Sequence, residues 1–505
     1  MTQQSVPAQE SVPAEDAPAL DVEVRPTFHE QFALLAETRG DVDALIDATG
    51  TVTFAELDAH TNRLARLFQD RGVAQGDFVL MSTPVGSLMI QAAIAAWKVG
   101  AVPMPVSDRL VQSELDAIIE VGAPALAIDT TDRTMDVPRI THVQDAQGLS
   151  ADPLPAVVSP QLKSPTSGGS TGRPKLIVSG AEGDPTAIAL LGRVMGVPEN
   201  DVCLITAALY HNASFSNALA ALTLGNTTVL MERFDPETTL RMIEQHRAGW
   251  VYAVPAMMQR IWKLPDDVKF RYDLSSVTTF FHVAAPCPQW LKRAWIDWLG
   301  PEVIYELYGP TEGQAATALT GTEWLEHPGS VGTAKVGEVS IRDEAGAPLP
   351  AGETGVVWLR RGVDEPPSYF YLGSEAEAAE DQWETVGDIG WMDADGYLYL
   401  TDRRGDMLLV GGVNVYPAEV EAVSDMHPAV LASCCAGIPD ADLGTVPALV
   451  VETATGEMPA DLEEHLAEHL SKVKRPRHIV ATSSPLRDAA GKIRKRDIKD
   501  EFLTT

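Results

Sequence analysis

From Phe54 onward the chain alternates helix-like and strand-like segments, and that rhythm leaves few architectures open. Phe54–Arg71 carries apolar residues at helical spacing, and residues 76–84 (GDFVLMSTP) follow as a short apolar strand. Residues 87–101 (SLMIQAAIAAWKVGA) read as a second helix ending at Gly100, and VPMPVS after them as a second strand. Val202–Thr206, Thr227–Met231 and Trp250–Val254 continue the strand series, with the helical segment Pro236–His246 between the last two. Short apolar strands joined through helices are the pattern of parallel pairing, so the expected fold class is α/β, with mixed parallel sheets flanked by helices.

The texture changes near residue 400. Tyr397-Leu398-Tyr399-Leu400 alternates, and TDRRGDMLLVGGVNVYPAEVEAV follows as a basic, Gly-containing turn and a helix starting near Pro417. The remaining residues suit a small α+β domain. Residues 1–26, rich in Pro, Ala, Gln, Glu and Asp, read as a disordered acidic tail.

Charge narrows the partners. The 505 residues hold 71 acidic against 38 basic side chains, a net charge of −33, which repels nucleic acid and anionic membrane surfaces. An anionic ligand must then be met by a few local positive groups. Only 12 lysines occur, and five of them lie at or after Lys472. The four cysteines (Cys203, Cys287, Cys434 and Cys435) form no C-x-x-C pair, which argues against a disulfide scaffold or a Cys-type zinc site and fits a reducing cytoplasm. The first residues lack a signal-peptide pattern, and no apolar run reaches the ~18 residues of a membrane span.

Three motifs compete for the chemistry. Thr166–Lys175 (TSGGSTGRPK) combines glycines, hydroxyls and a terminal lysine, the composition of a phosphate cradle. Pro174 before Lys175 separates it from a Walker A loop. The same segment contains G-x-S-x-G (Gly168 to Gly172), the spacing of a serine-hydrolase elbow. An elbow needs a helix after the serine, whereas Leu176-Ile177-Val178 is strand-like, so the hydrolase is the weaker alternative. His465-Leu466-Ala467-Glu468-His469 has the H-x-x-E-H spacing of a zinc peptidase, yet Leu462, Leu466, Leu470 and Val473 mark the same segment as an ordinary amphipathic helix.

Further segments decide among these. Tyr210-His211-Asn212, Tyr308-Gly309-Pro310-Thr311-Glu312, Gly387-Asp388, Asp402-Arg403-Arg404-Gly405-Asp406 and Gly491-Lys492-Ile493 follow the phosphate-type loop in order. With these motifs the chain closely resembles the adenylate-forming superfamily of acyl-CoA synthetases, luciferases and peptide-synthetase adenylation domains. The resemblance implies a large N-terminal domain over 27–402, a mobile C-terminal lid over 403–505 and a hinge at 402–406. It also implies that a carboxylate attacks the α-phosphate of ATP, after which a thiol, usually that of CoA, displaces AMP. It assigns Ser167, Gly168, Gly169, Ser170, Thr171, Gly172 and Lys175 to the triphosphate, Thr311 to the α-phosphate region and Glu312 to Mg²⁺. Asp388 and Arg403 match ribose contacts, and Ala285, Pro286, Glu306 and Tyr308 the strand ends that hold adenine. Lys492 matches the lysine that reaches both carboxylate and α-phosphate. Gly411 and Gly412 resemble the stretch lining the pantetheine tunnel, which favours a CoA ligase.

The pieces GGSTGRPKLI, LYHNASF and AAPCPQWLKRAWIDWLG are most similar to bacterial ligases for bile acids, steroids and other polycyclic acids. His211, Asn212, Phe215, His282 and Gly309 are then the expected acyl-pocket residues, with His211 also among the catalytic set. The small residues after Asn212 serve equally for pocket volume and for close helix packing. Expected partners are the acid or its acyl-adenylate, CoA and a second copy of the chain. Gly168 and Val386 stand where a hydroxyl residue is commoner in the superfamily, each loss removing a hydrogen bond worth ~0.5–1.5 kcal/mol. An enzyme that only transfers a preformed adenylate to CoA is therefore a second expectation.

Overall fold

The computed structural model describes residues 24–131, 133–141, 143–168, 174–378, 380–403, 405–410, 413–440, 442–488 and 493–503. The apolar runs pair as parallel strands, because each is buried on both faces and linked through a helix to the next. Five of them, Thr227–Leu230, Val202–Ile205, Trp250–Ala253, Thr279–His282 and Ile304–Tyr308, lie side by side at the centre of a nine-stranded sheet. Asp43–Asp47 extends this parallel run at one edge, and antiparallel strands finish both edges. A second, all-parallel sheet has the order Val102–Pro105, Phe78–Ser82, Leu126–Asp129, Arg139–Ile140.

The helices between the two sheets are buried all round. Gly86–Lys98 has buried residues from Ser87 to Lys98, and the buried Lys98 ammonium is matched by Asp58 at 2.6 Å and Asn62 at 2.8 Å. Local signals start the helices where the sequence places them. Thr53 and Glu56 form a capping box ahead of Phe54–Asp70, and Asp235 caps Pro236–His246 with proline in the first turn. The structure separates the two uses of the small residues after Asn212. Ser214, Phe215, Ser216, Asn217 and Ala218 are each at most 2% exposed, so they serve helix packing, and only His211, Asn212 and Ala213 stay partly open.

An antiparallel sheet ends the large domain. Asp388–Met392 pairs with Leu398–Arg403, whose last residues are the expected hinge. Beyond it, five strands from Leu408 to Thr482 pair into one sheet, and two apolar clusters form there apart from the main core. The small domain docks on the large one through polar contacts. Gln259 and Lys263 donate to the carbonyl of Asp425 at 3.3 and 3.4 Å, at the end of the helix Pro417–Asp425, and Lys263 also donates to the carbonyl of Val430. Arg494 lies 3.4 Å from Glu114 on the far side of the same interface. Among the described residues no helix is long and apolar enough to cross a membrane.

Candidate active site

Ligands of open α/β sheets gather at the carboxyl ends of the strands, and His282 and Tyr308 end two of the central parallel strands there. Thr166–Gly168 and Pro174–Ser179 are antiparallel partners, so the phosphate-type segment joins two strands and not a strand and a helix. That geometry disfavours the serine-hydrolase elbow. Gly169, Ser170, Thr171 and Gly172 lie outside the described residues, as do Gly411, Gly412 and Lys492. The helix Leu462–His469 turns Leu462 and Leu466 inward, while His465 Nε2 meets the carbonyl of Val423 at 2.9 Å, as expected of an amphipathic helix packed on Pro417–Asp425 rather than a zinc face.

Lys175 opens the site. Its Nζ stands 3.7 Å from Glu312 Oε1, bringing together the cation assigned to phosphate and the carboxylate assigned to Mg²⁺. Glu312 follows Thr311 on the turn after Ile304–Tyr308 and is nearly buried. Tyr308 donates through its hydroxyl to Asp388 Oδ2 at 2.6 Å, and Arg403 Nε approaches Asp388 Oδ1 at 3.4 Å. Burial pushes the Asp388 carboxyl above its ordinary range, against the opposing pull of Tyr308 and Arg403. Asp388 thus sits between a phenol and a guanidinium, held as an oriented acceptor. Gly387 before it has φ +86°, a left-handed conformation that favours glycine, and its N–H is taken by Thr385 Oγ1 at 3.0 Å.

Glu306 and His282 lie opposite each other on adjacent parallel strands. Glu306 is buried in an ion pair with Lys292, and His282 Nδ1 lies 3.7 Å from Glu306 Oε1. Burial and the Lys292 charge hold the His282 imidazole well below its usual pKa, so this ring is neutral at pH 7. After it the chain runs through Ala284, Ala285 and Pro286. Ala284 has φ +78°, in a region where an alanine is strained. Ala284→Gly is expected to stabilise the fold by about 1 kcal/mol, because glycine relieves a positive φ. A denaturation midpoint at or below that of the wild type would show that the surroundings, not the Cβ, set this backbone.

On the opposite side, His211 immediately precedes the helix Asn212–Thr223, with its ring 4.1 Å from that of Tyr210. Asn212 Oδ1 is buried without a hydrogen-bond partner among the described residues. Phe215 is fully buried in the main core, and a Cβ on Gly309 would press the carbonyl of Ala315 at 3.1 Å. An adjoining cleft is lined by Pro84, Met89, Ala207, Leu209, Leu230 and Met231, with Asp108, Arg109 and Glu232 also at its wall. Tyr210 is shared by the cleft and the His211 corner, and Asp488 of the small domain acts electrostatically on its hydroxyl. With Arg494 against Glu114, described residues on both sides of Lys492 therefore face the large domain.

The donor set fits the groups that this chemistry needs. Glu312 and Thr311 offer hard oxygens to Mg²⁺, Lys175 offers a cation to the phosphates, and Asp388 offers an acceptor to ribose hydroxyls. Buried orphan acceptors at Asn212 Oδ1 and Gln314 Oε1 are places where a bound donor supplies the missing bond. Bound Mg²⁺ would neutralise phosphate charge; the protein's share is to hold Glu312 and Lys175 at that charge. Sequence reading missed Tyr371, Tyr369 and Lys292. Tyr369-Phe370-Tyr371-Leu372 does alternate as a strand, but nothing local says that it pairs with Pro174–Ser179.

Comparison with known proteins agrees with this architecture. Residues 32–362 match the family model of the AMP-binding enzymes, and residues 419–492 that of the AMP-binding enzyme C-terminal domain. The chain is 30% identical over 470 residues to a feruloyl-CoA synthase from an Amycolatopsis species, covering 89% of this chain and 94% of that protein. It is 28% identical over 476 residues to a long-chain-fatty-acid–CoA ligase from Mycobacterium tuberculosis, covering 90% and 94%. A solved structure of o-succinylbenzoate CoA synthetase from Bacillus subtilis, complexed with its acyl-adenylate intermediate, superposes with a TM-score of 0.79 at 25% identity, over 95% of this chain and 99% of that one. The chain belongs to the AMP-binding enzyme family, the adenylate-forming class that its fold and site define. Within that class it is an AMP-forming acid–thiol ligase that uses ATP, Mg²⁺ and CoA.

Proposed function

We propose that the chain joins a bulky apolar carboxylic acid, of the polycyclic or terpenoid kind, to CoA through its acyl-adenylate. The observation that supports the substrate class is the cleft beside Tyr210, where Pro84, Met89, Ala207, Leu209, Leu230 and Met231 form an apolar part of the wall next to the charged Asp108, Arg109 and Glu232. Such a wall binds by buried area, at about 25 cal/mol per Å² of apolar surface, and rewards a rigid acid that orders at little entropic cost. Named relatives act on quite different acids, an aryl acid, a fatty acid and a succinylbenzoate, so the family leaves the acid open.

In this reading Asp388 and Arg403 hold the ribose, Lys175 the phosphates and Glu312 the metal, while Tyr308, Ala285 and Pro286 flank the base. His211 and Asn212 line the acyl side. Lys492 brings a positive charge between carboxylate and α-phosphate, two anions that otherwise repel. Gly411 and Gly412 border the thiol's path once the small domain has turned about residues 402–406.

The test is acid-dependent exchange of pyrophosphate into ATP, run with a steroid or bile acid, ferulic acid, palmitate and o-succinylbenzoate. The polycyclic acid is expected to drive exchange at least tenfold faster than the others. Faster exchange with palmitate or ferulate would overturn the substrate class. Absence of exchange with every acid, together with thioester formation from a synthetic acyl-adenylate, would support the transfer-only enzyme.

A further inference from the structure

Two sequence-distant strands meet at the phosphate end of the site. Tyr369–Leu372 pairs antiparallel with Pro174–Ser179, placing Leu372 opposite Leu176 and Tyr371 opposite Ile177. The Tyr371 hydroxyl donates to Glu312 Oε1 at 2.5 Å, and the Lys175 Nζ lies 3.8 Å from the centroid of the Tyr371 ring. Lys175 is also 3.7 Å from that same Oε1. One tyrosine thus touches both the carboxylate assigned to the metal and the cation assigned to the phosphates.

We infer that Tyr371 is a positioning residue for the metal–triphosphate end of the nucleotide site. This rests on the reading of Glu312 as the metal carboxylate and Lys175 as the phosphate lysine. Both described contacts of Glu312 fall on Oε1, which leaves Oε2 to the metal. A phenol donating to a carboxylate makes a short charge-assisted bond, and it leaves the carboxylate's charge in place. The ring face gives Lys175 a second seat by cation–π attraction, so the ammonium is not bound to Glu312 alone and is freer to meet phosphate.

Tyr371 is itself held. The ring of Tyr369 packs edge-on at 4.8 Å, and the Tyr369 hydroxyl is under the electrostatic influence of both Tyr371 and Glu384. Gln314 Nε2 donates to Glu384 Oε2 at 2.8 Å, which returns the network to the loop that carries Glu312. Removal of the Tyr371 hydroxyl lets the Glu312 carboxylate rotate and pair more closely with Lys175, so that each competes with the ligand meant for the other.

The experiment is equilibrium binding by calorimetry of AMP and of an α,β-methylene ATP analogue, the latter with and without Mg²⁺. Tyr371→Phe is expected to weaken the Mg²⁺-bound analogue by five- to tenfold and to leave AMP binding unchanged. Tyr371→Ala, which also removes the seat of Lys175, should in addition weaken the metal-free analogue. Wild-type protein should show a tyrosine ultraviolet difference signal on binding the Mg²⁺-bound analogue that Tyr371→Phe lacks. Equal weakening of AMP and analogue would reduce Tyr371 to a structural role and overturn the inference. Glu312→Gln separates the inference from the reading beneath it. If Glu312→Gln removes the Mg²⁺ dependence and Tyr371→Phe binds like wild type, the inference falls and the reading stands; if Glu312→Gln leaves the Mg²⁺ dependence intact, the reading itself falls.

Discussion

Lys492→Ala is expected to slow acyl-adenylate formation by roughly 100- to 1,000-fold, the usual cost of removing one charge-stabilising donor. Transfer from a synthetic acyl-adenylate to CoA should stay within about threefold of wild type, since that step has no entering carboxylate to bring against a triphosphate. The physical basis is the charge of the site. The chain carries a net charge of −33, and Asp388 and Glu312 both border the proposed nucleotide site. Cations near the reacting groups are correspondingly few, with Lys175 tied to the phosphate end. Asp488 acts electrostatically on Tyr210 of the large domain, and Arg494 lies 3.4 Å from Glu114. The polar contacts of Lys263 and Gln259 with Asp425 and Val430 must break if the small domain turns for the second step. Stopped-time assays of the two half-reactions decide the matter, and an equal loss in both would remove Lys492 from the adenylation role.

Lys163→Met is expected to stabilise the protein by on the order of 4 kcal/mol near pH 7. Lys163 is buried with its ammonium against Ser216, and burial without a charged partner lowers its pKa from 10.5 to about 7. The unfolded chain keeps that proton up to about pH 10.5, whereas the folded chain releases it near 7. Between these values the unfolded state binds more protons, so stability rises with pH across the window. Below about pH 7 both states are protonated, and the full cost of burying the charge is present. Methionine has a similar length, no charge and no such cost. The difference in denaturation midpoint between variant and wild type should therefore be largest at pH 7 and below and shrink toward pH 10. A difference that stays constant from pH 7 to 10 would show that Lys163 is solvated and that its proton plays no part.

Much of the molecule was legible before any coordinates. Parallel strands announce themselves because burial on both faces demands uninterrupted apolar residues, as in Val202–Ile205 and Trp250–Ala253. Helix starts were readable because an orphan N–H needs a local acceptor, as at Asp235 before Pro236. Motif order along the chain also singled out Lys175, Glu312, Asp388 and Arg403, which the structure brings together as the pairs Lys175–Glu312 and Arg403–Asp388. Each lies where local chemistry and spacing are informative, next to a glycine turn or at a strand end.

Only the tertiary structure decided which of these meet. Tyr371 reaches Glu312 and Lys175 through a pairing of strands about 190 residues apart in the chain, and no local preference encodes such a register. The small residues after Asn212 were ambiguous for the same reason, since packing volume and pocket volume require the same side chains until the neighbours are known. Nothing in the segment around Lys163 marks it as buried; its burial comes with Ser216, 53 residues further along the chain. Sequence by itself determined the elements and nominated the candidate groups, because hydrophobic period, capping and charge act over a few residues. The assembly of a site from Lys175, Glu312 and Tyr371 was decided by contacts across the whole domain, where burial and hydrogen bonding act between residues that the chain keeps far apart.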